Sequence, residues 1–75
     1  MKKLAQRFTG VVYIDGELFT HPNRLMGTAD STRNKVVKQL RENVRETLNA
    51  DYIKRHTVEL RVKDPNTHQV ETIQY

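Results

Sequence analysis

DSTRNKVVKQLRENVRETLN, residues 30–49, sets Val37, Leu40, Val44 and Leu48 at spacings of three, four and four, with Val36 alongside. Apolar residues at that interval share one face of a helix. Asp30 or Ser31 supplies the N-cap oxygen, and the segment from Thr32 to Asn49 predicts a helix. At 1.5 Å per residue it is about 27 Å long. The turn Asn49-Ala50-Asp51 ends it, with Asn49 suited to a left-handed cap.

Downstream the period changes from 3.6 to two. In the run from His56 to Lys63, Val58, Leu60 and Val62 alternate with polar residues, which predicts a half-buried strand. Asp64-Pro65-Asn66-Thr67 is a turn with Asp first and Pro second, and a last strand follows from Gln69 to Tyr75. Upstream, Phe8 to Ile14 is rich in β-branched and aromatic residues. Asp15-Gly16 then fits the two positive-φ positions of a type I′ turn before Glu17-Leu18-Phe19-Thr20. That hairpin pairs Ile14 with Glu17, Tyr13 with Leu18 and Val12 with Phe19. It puts Phe8, Val12, Ile14 and Phe19 on one face, and Val11, Tyr13 and Leu18 on the other.

Between hairpin and helix, Thr20 to Ser31 has Pro22 and Gly27 as breakers and no period, so it reads as a long loop whose Leu25 and Met26 tuck onto the core. The order is ββαββ. It predicts a single α+β domain over residues 1–75, a four-stranded antiparallel sheet with one amphipathic helix on one face. Residues 1–7, with Lys2, Lys3 and Arg7, read as a basic and disordered N-terminal segment.

Composition narrows the function classes. The 75 residues hold 13 Lys and Arg against 9 Asp and Glu, a net charge of +4 that favours acidic partners. With zero cysteines, disulfides, thiol nucleophiles and cysteine-based zinc sites are excluded. His21, His56 and His68 share no helical i, i+4 spacing, so no metal site is expected. The longest run of large apolar residues, Val11 to Ile14, is far too short to span a membrane, and no apolar stretch follows the basic N-terminus as in a signal peptide. A cytoplasmic protein is expected.

Basic residues carry the functional reading. Rotating the helix by 100° per residue gathers Lys38, Arg41 and Arg45 in one stripe beside the apolar face, where Arg41 and Arg45 repel each other. Glu42 and Glu46 sit farther round. Like charges collected against a helical penalty suit contact with nucleic-acid phosphates or with an acidic protein surface. Arg33, together with Arg24, lies near the helix N-terminus, and Arg61 and Lys63 point away from the apolar face of their strand, so these extend the basic surface.

Val11, Tyr13 and Leu18 form the second apolar face of the hairpin, which predicts either a homodimer or a patch for another protein. The chain carries no catalytic motif and implies no cofactor. It reads as a non-enzymatic module that contacts nucleic acid through Lys38, Arg41 and Arg45, or as a small inhibitor or adaptor that meets an acidic protein.

Overall fold

The computed structural model describes residues 7–21 and 26–75; residues 1–6 of the expected basic segment, and Arg24 and Leu25, lie outside them. The first strand, β1 (Phe8–Ile14), runs through the middle of the sheet with neighbours on both sides. Its turn has Asp15 at φ 52° and Gly16 at φ 83°, the two left-handed positions of a type I′ turn. β2 (Glu17–Leu18) returns in the expected register, Tyr13 opposite Leu18 and Ile14 opposite Glu17. One more rung follows, with the Phe19 N–H donating to the Val12 carbonyl at 2.9 Å.

A second segment takes the same edge of β1. β3 (Thr28–Asp30) pairs with β1, setting Gly10 opposite Thr28 and Phe8 opposite Asp30. In the β2 register residue 21 would face Gly10; Thr28 faces it instead, so the two pairings along this edge differ in register by seven residues. Part of the expected loop is therefore strand. Gly10 and Phe8 aim backbone N–H and C=O groups toward that edge, and β3 satisfies them. Met26 returns into the core at 4% exposure, as expected.

α1 (Arg33–Thr47) starts later than the sequence suggests. Asp30 is drawn into β3, so Thr32 caps the helix, its Oγ1 accepting from the Lys35 N–H at 3.3 Å. The C-terminal end also differs: Leu48 is extended, and Asn49 has φ −82° rather than a left-handed conformation. Asn49 Oδ1 accepts from the Tyr52 N–H at 2.8 Å and so opens a second helix, α2 (Ala50–Arg55), that periodicity did not predict. Six residues are too few to show a period. Tyr52 and Ile53 of α2 rest against the core.

β4 (Val58–Lys63) runs antiparallel to β1, from Ile14 opposite Val58 to Thr9 opposite Lys63. It begins two residues after His56, which ends α2 instead of opening the strand. Asp64 Oδ1 accepts from the Asn66 N–H at 2.7 Å in the expected turn, and β5 (Val70–Gln74) completes the sheet. The order is β2-β1-β4-β5, with β3 also against β1. The fold is α+β as predicted, with a fifth strand.

The helix row Val36, Leu40 and Val44 is fully buried against Val12 and Leu60, while Val37 and Leu48 are half-buried at the rim. This shifts the centre of the helix face by one residue from the expected row. Gly10 permits the close approach: a Cβ there would stand 2.6 Å from Leu40 Cδ1 and from Val36 Cγ1. Among the described residues, no helix is long and apolar enough to cross a membrane.

Candidate nucleic-acid interface

α1 brings Lys38, Arg41 and Arg45 together on its flank toward β5, all three exposed, where with Asn34, Val37 and Glu42 they line a shallow depression. The flank faces solvent because Val37 is the last apolar residue before the helix surface turns away from the sheet. Arg41 is anchored. Its guanidinium lies 5.6 Å from the Tyr75 ring centre, and Nη2 donates to the Gln74 carbonyl at 3.5 Å. Neither Lys38 nor Arg45 has a carboxylate within ion-pair distance among the described residues. Glu42 borders the depression and offsets part of its charge.

The other basic candidates are placed elsewhere. Arg33 grips Glu71 bidentately, Nε to Oε1 at 2.6 Å and Nη2 to Oε2 at 2.7 Å, which ties the start of α1 to β5. The hydrogen bonds from Arg33 hold the Glu71 carboxyl below its usual range. Arg33 is thereby neutralised. Arg61 and Lys63 project from β4 onto the face of the sheet that α1 does not cover, as their alternation predicted. The six basic candidates therefore form no single surface: three share the helix flank, one is paired, and two lie on the opposite side of the sheet.

That open face also holds Val11, Tyr13 and Leu18. Leu18 is 52% and Val11 36% exposed, but Tyr13 is half-buried: the Arg61 guanidinium carbon sits 3.8 Å from its ring centre. Val11 and Arg61 are cross-strand partners, so the residues expected to meet a protein and those expected to meet phosphate share one surface. Glu59, Arg61 and Lys63 carry charge down the middle of it.

A second cluster went unread in the sequence. Asp15, at the hairpin turn, accepts from the Thr57 N–H at 2.9 Å and contacts His56 Nδ1 at 2.5 Å through its other oxygen. The His56 ring stacks on Tyr52, with centroids 4.1 Å apart. The hydrogen bond to His56, with the Thr57 N–H second, holds the Asp15 carboxyl below its ordinary value. Asp15 and His56 stand 41 residues apart in the chain, and Arg33 and Glu71 38 apart, so no local pattern announces either pair. Both act as ties between elements. No three of the described His, Asp and Glu residues form a group that could hold a metal ion. No family model, curated protein or solved structure matches the chain.

Proposed function

We propose that the chain is a cytoplasmic, non-enzymatic binding module whose helix flank contacts the phosphates of nucleic acid without strong sequence preference. One observation carries this reading: Lys38, Arg41 and Arg45 sit together on an exposed flank, and Lys38 and Arg45 have no ion-pair partner among the described residues. Arg41 is pre-oriented by Tyr75 and Gln74, which lowers the ordering cost of a phosphate contact. Each phosphate neutralised on duplex DNA releases counterions and contributes about 0.9 to the slope of log affinity against log salt. Fluorescence anisotropy with a labelled duplex at two salt concentrations tests this. Binding should weaken with salt, and changing Lys38, Arg41 and Arg45 to Gln one at a time should flatten the slope by about 0.9 for each direct contact. Absence of binding at low salt overturns the reading.

A second reading, an interaction module that meets an acidic protein or a second copy, is favoured by Leu18 at 52% exposure on the open sheet face. Capture from a lysate with and without nuclease separates the two. A partner retained after nuclease treatment, and lost on Leu18→Glu, supports the second reading.

A further inference from the structure

We infer that the open face of the sheet is a stacking platform for the bases of a single-stranded nucleic acid, with Arg61 as the stacking plate and Lys63 as the phosphate contact. This deepens the reading above and rests on it.

Arg61 is held against the sheet. Its guanidinium carbon lies over the Tyr13 ring, 3.8 Å from the centroid, and Nη2 is 3.7 Å from Glu59 Oε1. Glu59 is itself fixed by Gln74 Nε2 at 3.0 Å. The side chain keeps 33% exposure, so the group is neither extended into solvent nor sealed off. Arg61 Nε is buried without a hydrogen-bond partner. The Nε–Nη edge that would grip a carboxylate bidentately is therefore closed to a ligand, whereas the exposed third of the side chain lines a depression on this face. A flat cation with one side backed by an aromatic ring stacks well on a nucleobase.

The surroundings suit a strand of alternating bases and phosphates. Thr9, Val11, Tyr13, Arg61, Lys63 and Val70 line one depression on this face. Val11 and Val70 offer apolar rims, 36% and 56% exposed, and Lys63 is exposed with no ion-pair partner among the described residues. A second copy seated here would bury Arg61 and Lys63 of each chain against one Glu59, and desolvating that excess of positive charge is costly. A polyanion neutralises them instead.

The test uses the full chain and three labelled probes: oligothymidylate, an abasic strand of equal length with the same phosphates, and a duplex. We expect oligothymidylate to bind about tenfold tighter than the abasic strand, because only the former has bases to stack. Arg61→Lys keeps the charge but removes the plate, and should bring the two affinities together. Its melting temperature and helical circular dichroism establish that it is folded. Lys63→Gln should keep the base preference and flatten the salt slope on single strands by about 0.7. Equal, salt-dependent binding of oligothymidylate and the abasic strand by the wild-type chain overturns the platform while leaving the helix flank standing. A base preference that survives Arg61→Lys also overturns it. If neither strand nor duplex binds at low salt, the nucleic-acid reading itself falls.

Discussion

The two faces of the sheet are cut from the same strands by the same alternation, yet they share almost no chemistry. On the covered face, Val12, Ile14, Leu60 and Val62 meet the Val36, Leu40 and Val44 row of α1, and no buried polar or charged residue occurs among those described. On the open face, Thr9, Tyr13, Glu59, Arg61 and Lys63 alternate with those same apolar residues. The difference teaches where stability and function separate in so small a domain. One face holds nearly all the apolar burial, so the other can carry exposed cations and half-covered aromatics with little effect on folding.

Truncation breaks this contrast most directly. Leu40→Ala should cost about 3 kcal/mol, against about 0.5 kcal/mol or less for Val11→Ala, both read by chemical denaturation. Gly10→Ala belongs with the first: its new Cβ would meet Leu40 and Val36 at 2.6 Å. Pushing the helix off the sheet should cost about 2 kcal/mol. Comparable losses at Leu40 and Val11 would mean that the open face is also covered.

A smaller effect probes the end of the covered face, where α2 sets Tyr52 and Ile53 against the core. Because Asn49 caps α2 through Tyr52 N–H, Asn49→Ala should cost about 1 kcal/mol, whereas Asn49→Ser, which still caps, should cost little. A left-handed Asn49 would make both substitutions alike in cost. Thermal melts of the two variants decide it.

The smallest effect is on pH dependence. With no ionisable group buried in the core among the described residues, acid sensitivity comes from carboxyls at the rim, among them Asp15 with His56 and Glu71 with Arg33. Both carboxyls are held below their ordinary values, 3.8 for Asp and 4.5 for Glu. A carboxyl with a lowered folded value contributes stability that is fully present above its unfolded value and is lost as pH falls through the folded one. The melting temperature should therefore hold steady from neutral pH to about the ordinary carboxylate range and fall below it. Asp15→Asn should reduce that fall while leaving the neutral-pH helix content unchanged. An undiminished fall in the variant would show that Asp15 is not a contributor.

Much of the fold was legible because it is written in short-range periods. The spacing of Val37, Leu40, Val44 and Leu48 needs only a helix, and that of Val58, Leu60 and Val62 only a strand. Asp15-Gly16 announces its turn by the backbone angles it tolerates. The rest was not, for two reasons: the six residues of α2 are too few to show a period, and elsewhere a residue's local preference yields to a distant partner. Thr28–Asp30 carries no strand signal, and becomes strand because β1 has an edge to satisfy. The candidate site was legible in its parts. That Lys38, Arg41 and Arg45 share a flank follows from 100° per residue; that Arg33 does not join them depends on Glu71, 38 residues away.

By itself, then, the sequence determined the long helix, the hairpin and the two C-terminal strands, which side of each is apolar, and that the chain is basic, because these follow from spacing and charge along the chain. Only the tertiary structure decided that Thr28–Asp30 pairs with β1, that Asp15 holds His56, and that Arg61 lies on Tyr13 instead of joining the helix flank. Those outcomes depend on which groups the sheet brings within a few ångströms, and that proximity is set by register and packing between elements far apart in the chain.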